Sequence, residues 1–286
     1  MSVTALLECV VNISEGRRAD VVAELAGTTG AALLDVHMDA DHHRSVFTLA
    51  GPPAAVSDGV KALATAAVRR LDLASHEGAH PRMGVLDVVP WVSLAGWPGP
   101  LEDGPPGPAL AARDDFARWA AAALELPCFL YDGGSGPSLP EIRGNGWKTR
   151  APATGPPFPH PTAGAVCVGA RPLLVAYNLW LAGGADVAWA QKVAGAVRGP
   201  GVRALGLQVG DAVQVSCNLI DPLRVGPAAA FDAVASRTAV ARAELVGLVP
   251  ARVLDAIPEG RWPELDLDRS RTIEARLERA GLDGGS

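Results

Sequence analysis

The sequence predicts an α/β chain of the α+β kind, built from two sheet-and-helix sets. Three observations carry this. Short β-branched runs alternate with helical-period segments; their order in the first half is β-α-β-β-α-β-α-β, close to a split βαβ ferredoxin-like sheet; and a second set follows a glycine- and proline-rich stretch. At 286 residues the length suits one large domain or two smaller ones, and the composition shift near Arg171-Pro172 predicts domains over 1–172 and 173–286.

Leu6–Ile13 is an apolar run that predicts a strand. Arg17–Ala26 carries Val21, Val22 and Leu25 at helical spacing and stops at Gly27. Ala31–Met38 and Arg44–Ala50 predict two strands joined by the polar turn Asp39-Ala40-Asp41-His42-His43. Val56, Val60, Leu63, Ala67 and Leu71 form the next helical face after the breaker Gly51-Pro52-Pro53. Met83–Leu94 predicts a strand region broken by Pro90, Pro108–Leu126 a helix, and Pro127–Tyr131 a short strand. From Asp132 to Gly164 regular signals vanish, and so long a structureless stretch in a compact chain points to function. The second set has strands at Ala165–Val168, Leu173–Leu181, Ala204–Val209, Val213–Ile220 and Leu245–Val249. Its helices lie around Val187–Val197 and from Ala228 to about Val240, with a short Pro250-led helix and a terminal helix between Glu264 and Arg279.

Composition excludes several classes. A chain 49% hydrophobic and 20% charged is globular rather than disordered, and a net charge of −6 argues against a broad nucleic-acid surface. No apolar run approaches the length of a membrane-crossing helix, and no signal-peptide pattern is visible, so a cytoplasmic location is expected. Cys9, Cys128, Cys167 and Cys217 lie far apart in apolar runs and predict buried, reduced thiols. Arginine outnumbers lysine 22 to 3, which weakens any single arginine as a sign of ligand contact.

All six histidines fall within the first 160 residues, so proton transfer near neutral pH belongs there. His80 precedes Pro81, which disfavours helix at the histidine and places it at an element end; Arg82, two residues on, suits an anion. His76-Glu77-Gly78-Ala79-His80 formally matches a zinc motif, but Gly78 and Pro81 make a helix through both histidines improbable, and no metal is expected. Asp39, Asp41, His42, His43 and Arg44 crowd one turn, which is either a solvated tip or a polar rim over a core. The Asp132–Pro137 loop lacks the lysine and following helix of a phosphate loop. Prolines on both sides of His160, followed by Ala163-Gly164, form a stiff small-residue corner that suits a pocket wall.

In order along the chain stand Glu8-Cys9-Val10 with Asn12, Ser14, Glu15 and Gly16; Arg44-Ser45-Val46; His80-Pro81-Arg82-Met83-Gly84 with Leu86-Asp87-Val88; Ile142-Arg143; Gly155-Pro156; Gly164; Gln214-Val215-Ser216; and Leu245-Val246-Gly247-Leu248-Val249-Pro250. This combination resembles the formiminotransferase domain of the glutamate formimidoyltransferases, without the cyclodeaminase domain that accompanies it in some members. The resemblance implies two ferredoxin-like subdomains with a ligand tunnel or cleft between them, and a homodimer. It implies transfer of a formimidoyl (or formyl) group between tetrahydrofolate N5, as co-substrate, and glutamate or a related amine. It places the catalytic general acid/base on His80. The folate-contacting segment falls on Gly155, Pro156, Pro157, Phe158, Pro159, His160, Pro161, Thr162, Ala163 and Gly164. Arg82, Arg44, His43 and His160 fall to substrate polar groups, and His37 stands where the mammalian-type domain carries an acid. The alternatives are a folate- or pterin-binding protein without turnover and a metal-dependent hydrolase using His76 and His80.

Overall fold

A computed structural model describes residues 6–78, 82–132 and 136–282. Among these the chain divides into two compact units. One runs to Trp97, resumes over Asp103–Pro172 and takes in the last residues from Ala280; the other consists of Pro98–Glu102 and Leu173–Arg279.

The first unit begins β1 (Leu6–Ile13), α1 (Ala19–Gly27), β2 (Leu33–Asp39), β3 (Arg44–Gly51), α2 (Pro53–Arg70), β4 (Leu86–Ala95). These four strands lie side by side as β2-β3-β1-β4 with antiparallel pairing. That is the ferredoxin-like βαββαβ arrangement. The chain then adds β5 (Glu102–Asp103), α3 (Pro106–Leu124), β6 (Cys128–Asp132), α4 (Leu139–Thr149) and β7 (Val166–Ala170), and β7 and β6 extend the sheet in parallel beyond β4. Strand alternation divides the side chains between two faces. On one face Cys9, Val11, Phe47, Leu49, Val89 and Trp91 pack with Val60 and Leu63 of α2 and Phe116 and Ala120 of α3. On the other, Val88, Phe129, Tyr131 and Cys167 pack with Ile142 of α4.

The second unit repeats the pattern: β8 (Val175–Leu181), α5 (Val187–Val197), β9 (Val202–Val209), β10 (Ala212–Leu219), α6 (Pro227–Ala235), β11 (Val240–Val246), in spatial order β11-β8-β10-β9. Two short helices follow, α7 (Ala251–Asp255) and α8 (Ile273–Arg279). Asp186 caps α5 by accepting from the Trp189 amide at 2.7 Å. All four cysteines are buried and none is paired. Among the described residues no helix is long and apolar enough to cross a membrane.

Three expectations need correction. The stretch from Asp132 to Gly164 contains α4, whose glycine-rich composition hid a helix that seats Ile142 at 1% exposure, with Leu139 packed beside it and the Trp147 ring edge-on to Phe129 at 5.0 Å. β4 continues through Pro90, because its pairing with β1 has no partners between Cys9↔Trp91 and Asn12↔Val88, so the missing proline N–H falls where that ladder is open. The helix expected to reach Val240 stops at Ala235, with Arg237 and Thr238 amides closing on the Val234 carbonyl, and Val240–Val246 is the strand instead.

Trp91 is among the largest fully buried side chains, its ring 6.2 Å from that of Phe116. Trp91→Ala is expected to cost about 3–5 kcal/mol in urea denaturation, with Trp91→Phe costing clearly less because the ring stays. Equal losses would show that ring packing is not what Trp91 supplies.

Candidate functional site

The site is built on a bulge. Asn12 of β1 pairs with Val88 of β4, yet Ile13 pairs with Leu86, leaving Asp87 as an extra residue on β4. A bulge of this kind re-aims its side chain. Asp87 is fully buried and its carboxylate is spoken for: Oδ1 accepts the Met83 amide at 2.8 Å, and Oδ2 accepts Arg44 Nη1 at 2.7 Å and Arg143 Nη2 from α4. Arg44 Nε donates to Asn12 Oδ1 at 2.9 Å. Direct cross-strand partners share a face, so His37↔Val46 and Asn12↔Val46 put half-buried His37 on the same face as Asn12 and Val88.

The β2–β3 turn supplies the second cluster. Asp39 Oδ1 accepts the amides of Asp41 and His42 at 2.9 and 2.8 Å, and its Oδ2 meets His42 Nδ1 at 2.6 Å. The chain then passes through His43 at φ +49, a left-handed value that is uncommon outside glycine. This turns the His43 ring inward, with Nδ1 2.8 Å from the Glu77 carbonyl and Nε2 3.3 Å from Glu15 Oε1. The polar-rim reading of this turn is therefore the one the geometry matches. His76 stacks on His43 with centroids 3.9 Å apart and its Nε2 lies 3.0 Å from the His43 carbonyl. Arg82 lays Nη1 against the His76 ring, 2.7 Å from Nδ1, and reaches the His43 and His42 carbonyls at 3.4 and 3.3 Å. A side chain at Gly78 would come within 2.5 Å of Arg82 Nη2, so the glycine is what permits this approach.

The proline-rich corner joins the same end of the sheet. Residues 83–85 and 163–165 pair as Val85 N to Ala163 O at 3.0 Å and Ala165 N to Met83 O at 2.9 Å. Gly164 has φ +71. His160 Nδ1 accepts the Ala163 amide at 3.0 Å and the Thr162 amide at 3.3 Å, which leaves Nε2 to carry the ring proton. Pro157, Phe158, Pro159 and Pro161 are exposed, and Pro156 is half-buried. Gly155, at φ +86, packs against the Leu126 carbonyl and has a backbone reason for its identity. The structure thus gathers Arg44, His43 and Arg82, sets His37 on the same sheet face, and ties Thr162–Gly164 to the strand leading from Arg82. His80 and Pro81 lie outside the described residues, as does the centre of the Asp132–Pro137 loop. Among the described residues no group of three or more His, Cys, Asp or Glu side chains is placed to hold a metal ion.

Residues 6–171 match the formiminotransferase domain, N-terminal subdomain. The chain is 32% identical to the glutamate formimidoyltransferase of Streptococcus pyogenes, across 94% of this chain and 97% of that one. It is 29% identical to the glutamate formimidoyltransferase of Thermoplasma acidophilum, across 96% and 98%. The chain belongs to the formiminotransferase family. It is also 32% identical to the formimidoyltransferase-cyclodeaminase of Gallus gallus, where it spans 57% of the longer protein.

Within this formiminotransferase chain the charges are arranged unevenly. Burial draws Arg44 below the ordinary guanidinium range; Asp87 opposes that, while Arg143 and Arg82 repel it further. Arg82 is lowered in the same way, by burial first, with Asp87 opposing and Arg143 and Arg17 adding repulsion. Burial, then the Arg82 guanidinium, pushes His76 down to about 4, so it is neutral near pH 7 and can accept from Arg82. Asp87 and Arg143 carried no site signal on their own. The available clues were an acid inside an apolar β4 run and an arginine following Ile142.

Glu15 is fully buried; burial alone would raise its carboxyl, but the Arg18 and Arg17 amides at 3.0 and 2.9 Å and the Arg18 guanidinium outweigh it and bring it to about 2. A lowered folded-state value stabilises the fold above the ordinary value of 4.5, and that stabilisation is lost as pH falls towards about 2. Glu15→Gln is expected to remove on the order of 3 kcal/mol of this pH-dependent stability. Denaturant titrations of both proteins at pH 7 and near pH 3 measure it; parallel losses on acidification would count against the assignment.

Proposed function

We propose that the chain is a glutamate formimidoyltransferase-type enzyme, moving a formimidoyl group between N5 of tetrahydrofolate, its co-substrate, and the amine of glutamate. The observation that carries this reading is the cationic cluster: Arg44, Arg82 and Arg143 act on one buried carboxylate, Asp87. A desolvated cluster with that balance fits the carboxylates that both glutamate and a folate tail bear. Near-full-length similarity to two glutamate formimidoyltransferases supports the reaction.

His80 is assigned the proton transfers. As the amine nitrogen bonds to the formimidoyl carbon it loses a proton; as the carbon–N5 bond breaks, N5 gains one. One imidazole near neutrality serves both steps in turn, taking the first proton and giving back the second. Arg82, held by His76 and the His43 carbonyl, orients a substrate carboxylate beside it. The segment Gly155–Gly164 is assigned to folate, with His160 Nε2–H as a donor, and holding both reactants together lowers the barrier by proximity.

His80→Ala is expected to lower glutamate-dependent consumption of 5-formimidoyl-tetrahydrofolate by about a hundredfold or more while leaving the thermal midpoint near that of the parent. Single-turnover absorbance measurements and a melting curve test it. Undiminished turnover would remove His80 from the chemistry. Folate-dependent stabilisation without turnover in the parent protein would make the chain a binder.

A further inference from the structure

Arg143 is more than a counter-ion. Asp87 takes the Met83 amide on Oδ1 and Arg44 on Oδ2, and Arg143 shares that second oxygen. Helix α4 delivers this guanidinium: Ile142, at 1% exposure, seats the helix against Val88, Phe129 and Cys167, and the next residue reaches Asp87 through Nη2. The Arg143 side chain keeps only 18% exposure, and its Nε–H is buried without an acceptor. A guanidinium carries five N–H donors in a planar fork that matches a carboxylate, and leaving the Nε–H desolvated and unpaired is unfavourable.

We propose that Arg143 is a substrate-binding residue that takes a carboxylate of a dicarboxylate substrate, with Asp87 and Arg44 as its mount. The chemistry it recognises is the glutamyl dicarboxylate, which occurs in the free amino-acid acceptor and at the tail of folate. This rests on the transferase reading above for its substrates, though not for the anion site itself.

The test uses the full chain, Arg143→Gln and Arg143→Lys. Steady-state kinetics are measured separately against glutamate and 5-formimidoyl-tetrahydrofolate, and glutarate, a dicarboxylate with no amine, is titrated by thermal shift. Arg143→Gln is expected to raise KM for one of the two substrates about tenfold or more, with kcat changed far less, and to abolish stabilisation by glutarate. A rise confined to glutamate assigns the acceptor's carboxylates; a rise confined to folate assigns its tail. Arg143→Lys should fall between the parent and Arg143→Gln, since it restores charge without the fork, and it replaces Arg143→Gln as the test if that variant does not fold. Unchanged KM values together with an unchanged glutarate response overturn the proposal while leaving the transferase reading standing. A parent chain with no turnover but an Arg143-dependent glutarate response does the reverse.

Discussion

The buried Asp87 carboxylate is the constraint on which the first unit's cationic cluster depends. A carboxylate with no solvent exposure is tolerated only when paired and hydrogen-bonded, and breaking such a pair typically costs 3–5 kcal/mol. The bulge at β4 puts it there, and its acceptors fix Arg44 from β3, Arg143 from α4 and the Met83 amide at once. Without that negative charge three guanidinium groups would face one another. Met83 also leads into the pairing with Ala163–Ala165, so one side chain sets both the cationic cluster and the proline-rich corner.

A second constraint runs alongside it. His43 adopts a left-handed backbone at a cost of about 1–3 kcal/mol, and what repays it is a ring held between the Glu77 carbonyl and Glu15 and stacked on neutral His76. Arg82 then finds a ring nitrogen and two carbonyls waiting. The βαββαβ pattern recurs in the second unit, but every histidine lies in the first, and only the first adds β6, β7 and α4 to its sheet.

The fold was legible where periodicity was strong. Val56, Val60, Leu63 and Ala67 mark α2 as found, and Val187–Val197 is α5 residue for residue. It was illegible where apolar contacts are sparse: α4 sets Leu139, Ile142 and Trp147 in a run with glycine, asparagine and lysine, too few for an amphipathic signal. Arg44, His43 and Arg82 were legible because titratable residues crowded short segments. Asp87 was not, because a bulge is a property of register between two strands, and neither strand records it alone. Arg143 inherited that blindness twice over, lying in an unread helix and in an arginine-rich chain.

That last difficulty shows why composition and geometry answer different questions. With a net charge of −6, the chain as a whole does not draw dicarboxylates from a distance, and any surface guanidinium among 22 arginines would be screened within about 10 Å. On the transferase reading proposed above, recognition of an acidic substrate acts at contact range, among groups taken out of water. Arg44 and Arg143, with side chains only 13% and 18% exposed, meet that condition, whereas an arginine such as Arg118, at 64%, does not. Low exposure strengthens each hydrogen bond to an anion and raises the cost of leaving the donors idle. On that reading, burial around a single carboxylate is the physical means by which guanidinium groups in an acidic protein gain selectivity.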